Sequence, residues 1–207
     1  VLSEDPKNCV GGETVVNLGQ MLEDSCRRYP DRVAVIHEKT RLTYGDLNRD
    51  VNALGIHLQK LGIGKDDKVA LMLGNCPEFV ISYFAAVRIG ALAVTLNAMS
   101  TPYELRHLLS DSDAKVFITA ASLAKRFDEI RSDVPHCRHL LTTGGYGNSG
   151  AFQDALAANA GSPVCPDIVE EDPAAMIYTS GLTGKPLGAV LTHGNLLNQS
   201  KLLPLFD

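Results

Sequence analysis

With 207 residues, of which 45% are hydrophobic and 21% charged, the chain can bury a sizeable core and is too apolar for a disordered segment. A formal net charge of −5 argues against a general nucleic-acid surface, which needs clustered Lys and Arg. The five cysteines (Cys9, Cys26, Cys76, Cys137, Cys165) are odd in number and widely spaced. With no secretory leader pattern and no apolar run of bilayer length, they predict reduced thiols in a cytoplasmic protein without a membrane span.

In chain order, the first expected element is a helix from about Asn17 to Tyr29, with Asn17 as N-cap and Leu18, Met21, Leu22 and Cys26 on one face. Val33 to His37 reads as a strand and Arg41 to Tyr44 as its hairpin partner. A helix follows from about Asp46 to Leu61, its apolar positions spaced by four and three, with Gly62 placed as a C′ glycine. From Lys68 onward strands and helices alternate. Val69 to Leu73 and Leu92 to Leu96 have the length and composition of buried strands. Between them a helix opens at Pro77 and ends at Gly90. Thr101-Pro102-Tyr103-Glu104 is a capping box, which predicts a helix to about Asp111. Strands at Val116 to Thr119 and Leu140 to Thr143 flank an expected polar helix near Ala121 to Arg131. The Gly-, Asn- and Ser-rich stretch from Thr143 to Gly150 reads as an exposed loop. Ala174 to Tyr178 is the last clear buried strand.

This alternation predicts an α/β fold: a Rossmann-like, largely parallel sheet built from right-handed βαβ units, with helices on both faces. Residues 1–67 are expected to form an incomplete subdomain of helices and a hairpin, and 68–207 the sheet subdomain.

The chemistry concentrates in residues 178–195, Tyr-Thr-Ser-Gly-Leu-Thr-Gly-Lys-Pro-Leu-Gly-Ala-Val-Leu-Thr-His-Gly-Asn. Gly181, Gly184 and Gly188 let the backbone turn amide N–H groups toward a ligand, and successive amides make a hollow suited to phosphate oxygens. Thr179, Ser180 and Thr183 add hydroxyls, and Lys185 a point charge. The competing reading is a glycine-rich hairpin turn whose hydroxyls bond their own backbone. It is not a Walker A loop: Pro186 follows Lys185, and the apolar run Ala189 to Leu191 stands where a helix would start. Ser180 lacks the G-x-S-x-G surroundings of a hydrolase nucleophile. No G-x-G-x-x-G follows a strand, which disfavours a dinucleotide-binding domain. His136-Cys137-Arg138-His139 is read as solvated side chains, not a metal site, because no second cluster accompanies it. Asp111 and Asp113 are read as helix-ending residues, not an acid–base pair.

The order Tyr-Thr-Ser-Gly-x-Thr-Gly-x-Pro-x-Gly followed by Val-Leu-Thr-His-x-Asn resembles the phosphate-binding motif of the adenylate-forming superfamily. Leu42-Thr43-Tyr44-Gly45-Asp46-Leu47 and the segment from Gly90 to Asn97 are also similar, the latter closest to fatty-acid and related acyl-CoA ligases. The resemblance implies part of the large N-terminal domain of an acyl-CoA synthetase-like fold, with the C-terminal catalytic domain absent. It implies ATP, Mg2+ and coenzyme A as cofactors or co-substrates, and a small carboxylic acid, fatty or related, as partner. Phosphate contacts are implied at Thr179, Ser180, Gly181, Leu182, Thr183, Gly184, Lys185 and Gly188. His193 is either a nucleotide or acyl contact or a strand-end histidine satisfied by backbone. Two positions depart from the pattern: Leu182 replaces a Ser or Thr, and Leu187 replaces the motif lysine. The expected result is an inactive fragment of an acyl-CoA synthetase. The alternative is a degenerate adenylation-like domain serving as a binding or scaffold module. Self-association through a truncated sheet is a further expectation.

Overall fold

The computed structural model describes residues 16–147, 150–179 and 186–202. Helix α1 (Leu18–Arg28) starts where Asn17 accepts the Gln20 amide N–H at 2.9 Å, as the sequence predicts. Strands β1 (Val33–His37) and β2 (Thr40–Thr43) form a separate antiparallel hairpin. Helix α2 (Tyr44–Lys60) begins earlier than expected, because Thr43 and Asp46 close a second capping box. Gly62 follows it at φ +80°, a conformation that a Cβ would oppose.

The main sheet contains β3 (Lys68–Met72), β4 (Leu92–Thr95), β5 (Val116–Ala120), β6 (His139–Thr143), β7 (Gly150–Ala151), β8 (Pro173–Thr179) and β9 (Leu187–Thr192), in the order β7-β6-β5-β3-β4-β8-β9. Every neighbouring pair is parallel except β8 with β9. The helices α3 (Pro77–Arg88) and α4 (Pro102–Ser112) cover opposite faces.

Two cores result, because side chains alternate along each strand. Val69, Leu71, Val116, Ile118 and Leu141 point to the face that α1, α2, α3 and α6 (Phe152–Ala157) cover. Ala70, Met72, Val94, Phe117 and Leu140 point to the other face, under α4 and the one-turn α5 (Lys125–Asp128). Burial on both faces explains why these strands read as continuous apolar runs. Helices α1 and α2 share the first core with the sheet.

Two expectations are corrected and one element is added. The polar helix over Ala121 to Arg131 is not continuous: 3-10 turns at Ala121–Leu123 and Arg131–Asp133 flank α5. The buried residues Ala124, Phe127 and Ile130 recur every third position. Phe127 N–H donates to the Ala124 carbonyl, Ile130 N–H to Phe127 and Asp133 N–H to Ile130, which is the three-residue step of a 3-10 helix. The stretch from Thr143 to Gly150 is not loop throughout, since Gly150 enters β7 and pairs with Leu141. Asn148 and Ser149 lie outside the described residues. Helix α6 adds an element that the sequence reading lacks, a short helix with only two buried residues, Phe152 and Ala155.

Residues 158–172 then strap back over α2 to reach β8. The Gln59 amide donates to the Val164 carbonyl at 2.6 Å and accepts its N–H at 3.1 Å, standing in for a strand neighbour. Lys60 donates to Asn159, and Lys65 to the Asp167 carbonyl and the Asp172 carboxylate. The strap thereby fixes where β8 begins, and with it the part of the chain that carries the candidate motif. Among the described residues no helix is long and apolar enough to cross a membrane.

Candidate functional site

Strands β8 and β9 form an antiparallel hairpin at one end of the main sheet, and the glycine-rich segment joins them. Thr179 pairs with Leu187, Tyr178 with Gly188 and Ile177 with Ala189. The strand-like run after the motif is therefore a real strand, as the departure from a Walker A loop predicts. Of the nine expected site residues, Ser180, Gly181, Leu182, Thr183, Gly184 and Lys185 lie outside the described residues. Thr179, Gly188 and His193 lie within them.

Thr179 is exposed at the last position of β8, directly before the glycine-rich segment. Gly188 has a packing reason that no local pattern reveals. A Cβ there would stand 3.0 Å from Met176 Sδ, 3.2 Å from Met176 Cγ and 3.3 Å from Tyr178 Cε1. The missing side chain lets Met176 and the Tyr178 ring lie across β9. Gly188→Ala is therefore expected to cost about 1 kcal/mol, the low end of overpacking because the thioether yields. A drop in the urea midpoint at constant m-value checks it.

Tyr178 reads in the sequence as the end of an apolar strand, yet its hydroxyl is the best-placed polar group at the hairpin's base. It donates to Asp111 Oδ2 at 2.7 Å and lies 3.4 Å from the Leu108 carbonyl, both on α4. Burial and the Asp111 carboxylate push its phenol well above the usual tyrosine range, so it remains a donor at neutral pH. Just before β9, His107 Nε2 lies 3.5 Å from the Pro186 carbonyl. Asp113, as expected, ends α4, in the left-handed region at φ +54°.

His193 lies at the opposite end of β9, about 17–20 Å of strand from Leu187 at ~3.3 Å per residue. It is fully buried. Its Nδ1 accepts the Leu18 N–H at 3.2 Å, at the start of α1, while its own N–H donates to the Asp172 carbonyl at 3.0 Å. That arrangement leaves the ring proton on Nε2, where no partner is present among the described residues. Burial pushes its pKa down to about 4, with Asp172 opposing and Lys65 reinforcing the shift. The neighbours in the Thr-His-Gly-Asn run hold the backbone together. Thr192 and Asn195 cap α7 (His193–Leu202) reciprocally, at 3.1 and 3.2 Å. Gly194 donates to the Glu170 carbonyl at 2.8 Å, so close that a Cβ would stand 3.2 Å from that oxygen.

His136 and Cys137 are not the solvated pair that the sequence suggests. His136 Nε2 lies 2.8 Å from the Leu109 carbonyl, and Cys137 is buried with its thiol pushed up to about 12 by desolvation. No group of three or more His, Cys, Asp or Glu side chains is gathered to hold a metal ion among the described residues. Asp111, the carboxylate in contact with the hairpin, already accepts from Tyr178. Mg2+ prefers carboxylates plus substrate phosphates, so these residues do not supply a site for it.

The sequence matches the family described as AMP-binding enzyme over residues 22–204. A crotonobetaine/carnitine–CoA ligase of Salmonella typhi is 34% identical over 198 residues, which is 90% of this chain and 38% of that protein. Among solved structures, an anthranilate CoA ligase in complex with anthranoyl-AMP aligns with TM-score 0.85 and 26% identity over 92% of this chain and 36% of that one. A Mycobacterium tuberculosis fatty acyl CoA synthetase aligns with TM-score 0.75 and 32% identity, covering 86% of this chain and 34% of that one. The chain thus spans little more than a third of the length of the relatives it matches.

Proposed function

The chain belongs to the AMP-binding enzyme family, and from that premise we propose that it is the N-terminal part of an ATP-dependent acid–thiol ligase. In the first step a substrate carboxylate oxygen attacks the α-phosphorus of ATP. The bond to the β-phosphate oxygen breaks, leaving an acyl-adenylate and pyrophosphate. In the second, the coenzyme A sulfur attacks the acyl carbonyl and AMP departs, giving the thioester. Both steps accumulate or shift negative charge on phosphate oxygens, which inward amides, hydroxyls and cations stabilise.

The observation that carries this reading is the β8–β9 hairpin. It brings the two ends of the glycine-rich motif of adenylate-forming enzymes side by side, with Thr179 opposite Leu187 at the mouth of the turn. The relatives' names point the same way: crotonobetaine and carnitine are carboxylic acids and a fatty acyl group is the residue of one, each named together with coenzyme A. The substrate class is accordingly a small carboxylic acid, fatty or related. ATP and coenzyme A are co-substrates, and Mg2+ enters with the nucleotide. The phosphate contacts are assigned to the turn from Thr179 to Gly188, and His193 to holding α1 on the sheet. Groups for adenine, ribose and the second step belong to the remainder of the enzyme, so the 207-residue chain alone is proposed to be inactive. Free thiols at Cys26, Cys76, Cys137 and Cys165 suit a cytoplasmic protein. The exposed Leu187 and Val190 on β9 offer an edge for self-association.

A second reading has its own observation. Leu187 is 63% exposed where the family carries its lysine, so the position has lost a cation without gaining a core contact. This favours a degenerate domain that binds a partner without turning over ATP.

Product analysis separates the two. Incubated with ATP, Mg2+, coenzyme A and a panel of carboxylic acids, the complete enzyme is expected to form AMP and pyrophosphate in equal amounts, and only with acid present. Formation of ADP and phosphate, or acid-independent hydrolysis, would overturn the ligase reading. No turnover with any acid would favour the degenerate one.

A further inference from the structure

Helix α4 approaches the hairpin at the end of β8 and at the residue just before β9. On β8, the Tyr178 hydroxyl donates to Asp111 Oδ2 at 2.7 Å, with the Leu108 carbonyl at 3.4 Å. On the β9 side, His107 Nε2 stands 3.5 Å from the Pro186 carbonyl. His107 and Asp111 are four residues apart, so they share one face of α4. The helix is itself firmly set. Leu105, Leu108 and Leu109 are buried in the second core, and Thr101 and Glu104 cap its start reciprocally. Gly188 clears the space that the Tyr178 ring crosses.

From this geometry we infer that Tyr178 and Asp111 are positioning residues for the phosphate-binding turn, with α4 as the fixed body against which the turn is registered. The inference rests on the ligase reading and deepens it. Among the described residues the Asp111 carboxylate accepts from the Tyr178 hydroxyl and caps no helix end, a role that falls to Asp113. A phenol O–H donated to a carboxylate makes a short, strong bond, roughly twice a neutral one. It sets the height of Tyr178 over the sheet, and the next residue, Thr179, inherits that height at the mouth of the turn. His107 adds a second, longer contact at Pro186, just before the return strand.

The test is a substitution cycle in the complete enzyme. Tyr178→Phe removes the hydroxyl and keeps the ring, and Asp111→Ala removes the acceptor. Each is expected to raise the KM for ATP about tenfold, the scale of one hydrogen bond to a charged group. The KM for the acid should stay within about twofold, and the double variant should be no worse than either single one. Amide hydrogen exchange at Tyr178 and Gly188 supplies a reading that does not depend on turnover and is expected to accelerate in both variants. The inference is overturned if exchange is unchanged, or if exchange accelerates while the KM for ATP holds, since the bond would then be structural only. A uniform fall in kcat with both KM values unchanged would also overturn it. A wild-type enzyme that makes no pyrophosphate with any acid defeats the ligase reading and this inference with it. An active wild type whose variants match it defeats the inference alone.

Discussion

Replacing Leu187 by Lys is expected to raise ATP-dependent pyrophosphate release by about 10- to 100-fold in kcat/KM, from one charge-assisted contact worth ~1.5–3 kcal/mol. Leu187 is the first residue of β9, and its cross-strand partner is Thr179. Strand alternation puts its side chain on the face opposite the neighbouring Gly188 and Tyr178, so a lysine there does not disturb the contact with α4. The leucine is 63% exposed and belongs to neither core, so the exchange is expected to change stability by no more than about 0.5 kcal/mol. An ammonium on a four-carbon stem at the mouth of the turn meets the negative charge that collects on the leaving pyrophosphate. Steady-state kinetics at saturating acid, with an unfolding curve beside them, check both halves. An unchanged rate with intact stability would show that Lys185 or another group already fills that role. Activity appearing only in the lysine variant would establish that the natural sequence carries a degenerate site. The companion departure, Leu182, lies outside the described residues.

The second large effect concerns His193 and acid. Its pKa is about 4 in the folded protein, against an ordinary histidine value of 6.5. Because the folded-state value is the lower one, the unfolded chain takes up the proton first as pH falls below 6.5. Stability therefore drops through the window from about 6.5 to 4 and is lost no further, for this group, below it. The full loss is about 3 kcal/mol, since each tenfold difference in proton affinity is worth about 1.36 kcal/mol. The structural cause is direct: protonating Nδ1 cancels its acceptance of the Leu18 N–H and places a charge among buried groups. The charged groups around it are Asp172, which favours the proton, and Lys65, which opposes it. Asp172 is itself held below the usual carboxylate range by Lys65, so it keeps its charge through this window. Urea unfolding across a series of buffers from neutral pH down to that lower limit should show the loss. His193→Asn, which keeps an acceptor near the Nδ1 position, should flatten the profile while lowering stability at neutral pH through the lost ring volume. Equal slopes in the two proteins would refute the assignment.

How much of this was legible in the sequence depended on the range of the interaction involved. Local signals read well. Asn17, the Thr101–Glu104 box and the glycines at 62 and 90 mark helix ends, because caps and positive φ are decided by neighbouring residues. The central strands are visible because burial on both faces makes them uniformly apolar. The stretch from Ala121 to Arg131 misleads because its polar composition suits an α-helix while its apolar residues step by three. Strand β7 and helix α6 are too short to carry a period. At the site, the motif marks the segment between β8 and β9 but not the contacts made at its two ends. Asp111 lies 67 residues from Tyr178 and His107 lies 79 from Pro186. Nothing in a local pattern joins them, and only the fold does. Gly188 and His193 show the reverse case. Both stand out in the sequence for their chemistry, while their geometry supplies packing and hydrogen-bonding reasons for the same residues.

A crystal structure of the complete enzyme with magnesium pyrophosphate or a non-hydrolysable ATP analogue would test the central claim most directly. Polyphosphate density is expected against the segment that joins β8 to β9, within hydrogen-bonding distance of amides between Thr179 and Gly188, with the Tyr178–Asp111 contact intact beside it. Polyphosphate seated elsewhere, for example at the start of α3, with that segment unliganded, would contradict that claim.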